Sequence, residues 1–287
     1  EGLRVVEEEE MHEIEPHVAG VKAIFSPNTG IIDYQKVSIA YAAELSENGG
    51  DLLTDCELRS IIKKDGFIYL ETNLGTIKTE FLINCAGLQA DKVANLMGVD
   101  TGIRIVPFRG EYFSIIPERS DLVNGLIYPV PNSNLPFLGV HFTKRINGSV
   151  EAGPNAVFAF AREGYSKTSF NIKDTLGTLA FPGFWKMSAK YWKVGINEQY
   201  RSLVKGVFVK SLQKLIPEVT SKDLAEPGAG VRAQAINKNG DLLQDFSIVE
   251  TNNSIHVLSA PSPGATSSLT ISKYLADMAN KSFSLTK

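Results

Sequence analysis

The chain has 287 residues, 43% of them hydrophobic, and a formal net charge of −3 from 29 basic and 32 acidic side chains. This is ordinary globular composition, and the length suggests two domains with a sizeable core. With no basic block, nucleic acid and anionic membrane surfaces are poor expectations as partners, and no apolar run nears the roughly 18 residues of a membrane span.

No signal-peptide pattern opens the chain. The only two cysteines, Cys56 and Cys85, share no metal-ligand spacing, so no metal is expected and a reduced, cytoplasmic setting is the reading. Residue 1 is Glu rather than Met, which suggests a piece of something longer.

In chain order, the Glu7–Glu10 run before Met11 and Ile14 predicts a short solvated helix ended by Pro16. Val37, Ala40, Tyr41 and Leu45 recur at helical spacing between Lys36 and Asn48, and Gly49-Gly50 closes that segment. Strands are predicted over 52–54, 57–62 and 67–72, the last two joined by an Asp65-Gly66 turn. An apolar strand over Phe81–Ala86 runs into Gly87 and a helix from Gln89 to Met97. Long strands over 103–116, 126–130, 137–143 and 150–153, with proline-rich joints, argue for an antiparallel sheet. Helices follow, the clearest over 198–215 and stopped by Pro217. Strands over 230–236, 246–250 and 255–260 and a last helix over 265–281 close the chain.

The order α/β, then antiparallel sheet with helices, then α/β again predicts a mixed α/β and α+β fold in which one domain is inserted into another. The first and last thirds should share a sheet.

The sharpest local signal is the apolar strand to Ala260, followed by Pro261-Ser262-Pro263-Gly264 and then Ala265-Thr266-Ser267-Ser268 opening a helix. Free amides and partial positive charge at a helix start suit an electron-rich ligand, and glycine allows close approach. Simple N-capping by Ser or Thr is the competing explanation. A hydrolase nucleophile elbow is rejected, since its histidine should follow the nucleophile and the last histidine here is His256. Gly228-Ala229-Gly230-Val231-Arg232-Ala233 spells the dinucleotide fingerprint, but it lies in a strand pattern rather than at a strand-to-helix turn. Arg232 is its notable residue, a fixed cation able to grip a carboxylate. Arg109 and Glu111 interrupt an apolar strand and should pair with each other or face a polar cavity. Of the histidines, His141 on an apolar strand is the one suited to a wet cleft, while His256 reads as a satisfied core side chain.

Several runs resemble the L-2-hydroxyglutarate dehydrogenase/oxidase family, within the FAD-dependent oxidoreductases of the D-amino-acid-oxidase type. They are Thr29-Gly30-Ile31-Ile32-Asp33-Tyr34, Phe108-Arg109-Gly110-Glu111-Tyr112, Ile127-Tyr128-Pro129-Val130-Pro131, Phe137–Phe142, Gly153-Pro154-Asn155-Ala156 and Ala260–Ser268. The likeness runs from about Gly2 to the C-terminal helix. It implies a partial FAD-binding α/β domain (36–102 and 227–287) carrying an inserted substrate domain built on a large antiparallel sheet (103–226), to which 1–35 is the leading segment.

The resemblance also implies oxidation of (S)-2-hydroxyglutarate to 2-oxoglutarate by hydride transfer to flavin. Cofactor-binding residues would be Leu58 beside the adenine, Cys85, Ala86 and Gly87, and the loop Ser262, Pro263, Gly264, Ala265, Thr266 and Ser267. Arg232, Arg109 and Tyr112 would bind a 2-hydroxy dicarboxylate, and His141 would be the catalytic base, with His256 in reserve. The family opens with a strand, a GxGxxG turn and a helix that hold the FAD diphosphate. Nothing in residues 1–30 resembles them, so about 100 residues are expected to be missing, with FAD binding incomplete. Competing readings are a glycine-oxidase-like or glycerol-phosphate-oxidising flavoenzyme, and a non-catalytic fragment that only binds a dicarboxylate or partner. The electron acceptor is oxygen or a quinone; the latter would place the protein peripherally at the inner membrane, for which the sequence gives no clear amphipathic signature.

Overall fold

The computed structural model describes residues 2–131 and 139–285. Phe137 and Leu138, in the predicted strand before His141, lie outside them. The chain opens with strand β1 (Arg4–Glu7), helix α1 (Glu8–Ile14) and strand β2 (Lys22–Phe25), with β1 and β2 paired antiparallel. Their Val6, Met11 and Val18 are buried in one core with Ile115, Phe142 and Phe208, so this leading segment packs on the large sheet described below.

Next comes α2 (Tyr34–Glu47), whose N-terminus is capped by the Asp33 carboxylate accepting from the Gln35 and Lys36 amides. Strands β3 (Leu58–Lys64), β4 (Phe67–Thr72) and β5 (Gly75–Thr79) form a separate antiparallel sheet. The turn between β3 and β4 has positive φ at both Asp65 and Gly66, the backbone a tight two-residue hairpin demands. No strand forms over 52–54, whose Leu52 and Leu53 are exposed and bury no face. Strand β6 (Leu82–Asn84) leads into α3 (Ala90–Leu96).

The large sheet is built on β7 (Ile103–Ile115). Strands β8 (Leu126–Ile127), β9 (His141–Lys144), β10 (Val150–Gly153) and β11 (Val157–Phe158) lie on one side of it, all antiparallel, with β10 and β11 each pairing a different stretch of β7. Three helices follow: α4 (Ile172–Leu179), α5 (Pro182–Leu203) and α6 (Lys205–Leu212). The single helix expected over 198–215 is therefore two, broken at Val204, which is extended (φ −114°, ψ 96°). The break lets Phe184 and Met187 of α5 join the core containing Val106, while Phe208 and Leu212 of α6 join the core beneath Phe142. One straight helix could not serve both.

Strand β12 (Leu224–Asn237) pairs with β7 on its other edge over nearly its whole length. Strand β13 (Ser247–Glu250), strand β14 (Ser254–Ser259) and helix α7 (Ser268–Ser282) complete the chain. Strands β14 and β6 are parallel neighbours, with His256 opposite Asn84, so the first and last thirds do share a sheet. The fold is mixed α/β and α+β, as expected. Residues 102 and 227, expected as domain boundaries, fall just before β7 and inside β12.

A buried ion cluster clasps α3 to residues 160–175. Asp91 is fully buried, pairs with both terminal nitrogens of Arg162, and accepts the Ile105 amide at 3.2 Å. Asp174 accepts from the Arg162 amide at 2.9 Å and from Lys92 at 2.6 Å. Burial works against the Asp174 carboxylate, yet these two donors hold it below the usual carboxylate range.

Candidate active site

Alternation along β7 separates the candidate residues. Gly228 lies opposite Tyr112, Gly230 opposite Gly110, and Arg232 opposite Phe108. Directly opposed residues share a face, so Tyr112 and Arg232 project to one side and Arg109 and Glu111 to the other. Gly153 lies opposite His141 while its neighbour Ala152 lies opposite Phe113, which puts His141 on the Tyr112 face. Tyr128, one residue beyond the Ile127–Phe142 pair, joins it there, its ring stacked on the His141 ring with centroids 4.3 Å apart. Tyr128 was not singled out from sequence, although strand alternation in the Ile127-Tyr128-Pro129 run could have found it.

The chemistry of this face is that of a base beside a cation. Nδ1 of His141 donates to the Gly139 carbonyl at 3.0 Å, because a carbonyl can only accept. That bond fixes the neutral tautomer with a lone pair on Nε2, the form that can take a proton. Burial lowers the affinity of His141 for a second proton, and Arg232 lowers it further against the opposing effect of the Gly139 carbonyl. Burial also disfavours the Arg232 cation, which the Tyr112 oxygen partly offsets. Burial keeps Tyr112 in its protonated, donating form despite Arg232 nearby.

Arg109 lies elsewhere. Its Nη2 donates to Glu111 at 3.0 Å and its Nη1 to the Ser166 carbonyl at 2.8 Å, and both side chains are buried. Glu111 also accepts from Ser202 at 2.9 Å and Asn155 at 2.8 Å. Burial opposes its charge, but these hydrogen bonds hold it below the usual range. The pair is internally satisfied, and Arg109 lies on the face opposite Tyr112, His141 and Arg232. The expectation that the two charges pair with each other is met.

The cofactor candidates gather at one edge. In a parallel α/β sheet, ligands sit beyond the carboxyl ends of the strands. Strand β6 ends at Asn84 and continues into Cys85, Ala86 and Gly87; its parallel neighbour β14 ends at Ser259 and continues into the 260–267 loop. Asn84 organises that edge by accepting the Ala86 amide at 3.1 Å and donating to the Ala90 carbonyl at 2.8 Å and to Nδ1 of His256 at 3.0 Å. His256 is fully buried, its second nitrogen bonded to Ser254 at 2.9 Å, so it is a satisfied core side chain away from the Tyr112 face.

In the loop, Ser262, Pro263, Ala265 and Thr266 are exposed, and Thr266 meets Tyr34 of α2, the two hydroxyls 3.0 Å apart. Helix α7 starts at Ser268, and Ser267 makes no side-chain cap, which removes simple N-capping as the reason for these small residues. Leu58 begins β3, in the separate sheet, and does not share this edge.

A planar ring system fits this arrangement. Among the described residues, side chains added at Gly228 or Gly230, beside Tyr112 and Arg232, would meet nothing within 4 Å, so this stretch of the face is open down to its backbone. The fingerprint-like run that contains them lies within β12 and makes no strand-to-helix turn. Gly264 is different: a Cβ there would fall 2.6 Å from the Ala260 carbonyl oxygen. Gly264→Val should weaken FAD binding by about 10–100-fold, the effect of 1–3 kcal/mol of overpacking, as read by flavin fluorescence titration.

Residues 1–278 match the family described as FAD dependent oxidoreductase. The chain is 48% identical to L-2-hydroxyglutarate dehydrogenase of Indibacter alkaliphilus over 98% of its own length and 71% of that protein. It is 41% identical to the human mitochondrial L-2-hydroxyglutarate dehydrogenase, over 99% of this chain and 65% of that one. Among solved structures, L-alpha-glycerophosphate oxidase of Mycoplasma pneumoniae with FAD bound shares the fold at a TM-score of 0.70 and 19% identity, covering 97% of this chain and 64% of that one. The chain thus spans about two thirds of the length of the proteins it matches. Its family model, relatives and fold agree: the chain belongs to the FAD-dependent oxidoreductases, on their L-2-hydroxyglutarate dehydrogenase branch.

Proposed function

We propose that this chain forms the substrate lobe and part of the flavin lobe of an enzyme that oxidises (S)-2-hydroxyglutarate to 2-oxoglutarate, divided near residues 36, 103 and 227. The carrying observation is the convergence of Tyr112, His141 and Arg232 on one open face of the sheet. FAD, when bound, supplies the hydride acceptor; the 260–267 loop and the Cys85–Gly87 turn would hold its ring system. Arg232 neutralises a substrate carboxylate, and the Tyr112 hydroxyl donates to the same anion. His141, through Nε2, accepts the proton of the substrate hydroxyl as its carbon loses hydride, so that a carbonyl forms without a charged alkoxide. Stacking on Tyr128 holds the imidazole plane, and the Gly139 carbonyl holds its tautomer.

The substrate assignment is tested with the full-length, FAD-loaded protein under anaerobic conditions. L-2-hydroxyglutarate should bleach the flavin band, while glycine and glycerol 3-phosphate should not; bleaching by either of these alone would overturn the reading. The electrons then pass to oxygen or to a quinone, which reoxidation by air or by a soluble quinone distinguishes. Arg232→Met should lower kcat/KM by about 10–100-fold, as expected for losing 1.5–3 kcal/mol of charge-assisted bonding. An unchanged kcat/KM would remove Arg232 from the site.

A further inference from the structure

A dicarboxylate lying on the Tyr112 face needs a cation for each end. Arg232 supplies one, whereas Arg109 projects from the opposite face, tied to Glu111 and to the Ser166 carbonyl. The strand register brings up a different arginine. Glu151 lies opposite both Ser114 of β7 and Thr143 of β9, one same-face step from the row that holds His141, Gly153 and Tyr112. Such a step spans two residues, about 6.6 Å. Arg145 lies just past the end of β9, where its amide donates to the Ser149 carbonyl at 2.8 Å and continues the hairpin. Its side chain turns back to the level of Glu151, and its Nη2 donates to that carboxylate. Arg232 lies on the other side of the row, opposite Phe108. His141 therefore stands between two arginines on one face of the sheet.

Three observations point Arg145 at an anion. It lines a cleft of about 370 Å³ with Thr29, Gly30, Leu126, Lys144 and Gly148, and among the described residues no acid lines that cleft. Leu126 shares the face of Thr143, which it opposes, so the cleft opens beside the active face. Lys144 is committed to the Val123 carbonyl at 3.3 Å, which leaves Arg145 as the cation to meet a ligand. The charges of Arg145 and Glu151 are both felt at the Tyr112 hydroxyl, the first favouring its ionised form and the second opposing it. A guanidinium carries five N–H donors, so one carboxylate does not exhaust it.

The length of the substrate matches this spacing. Four carbon–carbon bonds of about 1.5 Å hold the carboxylate carbons of an extended 2-hydroxyglutarate about 5 Å apart. Resting on the oxidation of (S)-2-hydroxyglutarate argued above, we propose that Arg145 sets the specificity of the site by binding the carboxylate remote from the reacting carbon. Glu151 holds the guanidinium at the right level and competes with the incoming carboxylate for it. A 2-hydroxy acid ending in a methyl group leaves Arg145 on Glu151 and gains nothing from it.

The test uses the full-length, FAD-loaded protein with L-2-hydroxyglutarate and with L-2-hydroxypentanoate, which has a methyl group in place of the remote carboxylate. Arg145 is about half exposed, so the lower end of a charge-assisted bond applies. Arg145→Gln should raise KM for L-2-hydroxyglutarate about 10-fold, with a much smaller effect on kcat. Its effect on kcat/KM for L-2-hydroxypentanoate should be slight. Arg145→Lys should recover part of the loss, and Glu151→Gln should lower KM for L-2-hydroxyglutarate. Glutarate, which has no hydroxyl to oxidise, separates this inference from the substrate assignment. It should perturb the flavin absorption of the wild type, and Arg145→Gln should weaken its binding about 10-fold without weakening that of butyrate. If L-2-hydroxyglutarate fails to bleach the wild-type flavin, the substrate assignment falls, and the glutarate titration still decides the role of Arg145. Equal losses on the two hydroxy acids, a loss in kcat alone, or unchanged glutarate binding would each overturn the proposal.

Discussion

His141→Ala is expected to leave FAD bound and to slow anaerobic flavin reduction by about 10²–10⁴-fold, the usual worth of a positioned general base. The cofactor candidates lie beyond β6 and β14, whereas His141 sits on β9, so binding and chemistry separate cleanly in this variant. Stopped-flow reduction by L-2-hydroxyglutarate, beside a flavin titration, reads both quantities, and unchanged reduction kinetics would remove His141 from the mechanism.

The pH dependence follows from the same environment. Burial lowers the pKa of His141 from the ordinary histidine value of 6.5, so the neutral base persists to lower pH than a free imidazole would allow. Reduction should therefore be flat through neutrality and fall only as the pH drops below about 6.5. A rate that rises steeply above pH 7 would contradict the assignment. His141→Gln tests the same point differently: it can keep a donor toward Gly139 but offers no basic nitrogen, so it should lose the pH dependence along with the rate.

The second large effect is on stability. Arg162→Met takes from the fully buried Asp91 carboxylate the two guanidinium nitrogens that meet it and leaves only the more distant Arg104, at 3.7 Å. Breaking one partner of a buried pair costs about 3–5 kcal/mol, which in a chain of this size lowers Tm by roughly 10 °C. Asp91→Asn should also be damaging, because it removes the bidentate partner of the Arg162 cation and leaves it only Asp174 at 4.0 Å, while retaining an oxygen for the Ile105 amide. The double variant should lose much less than the sum of the two, since the buried charge disappears from both sides. Simple additivity in thermal melts would mean that the two side chains are not energetically coupled. The clasp joins α3 to the segment leading into α4, so its loss should also loosen the packing of α3 on that segment.

Much of the architecture is legible in local pattern. The helical spacing of Val37, Ala40, Tyr41 and Leu45 marks α2, and the Asp65-Gly66 turn marks the β3–β4 hairpin. The adjacent charges of Arg109 and Glu111 announce a buried pair. The strand-then-small-residue run ending in Ser267 announces the edge where β14 stops. The break at Val204 is not legible, because α5 and α6 are each good helical sequence and the kink is imposed by two separate cores.

The sequence by itself marked most of the elements, their order and a set of candidate residues, because period, turn residues and family motifs are local. Tertiary structure decided which candidates meet. Strand alternation states that Arg109 and Tyr112 point to opposite sides, but not which side stays open; that is settled by Ser202, Asn155 and Ser166 closing around Arg109 and Glu111. The register of β7 with β12, some 120 residues apart in sequence, then places Arg232 and two glycines beside Tyr112. Such long-range pairing depends on the sum of many weak contacts across the chain, and no short window of sequence contains it.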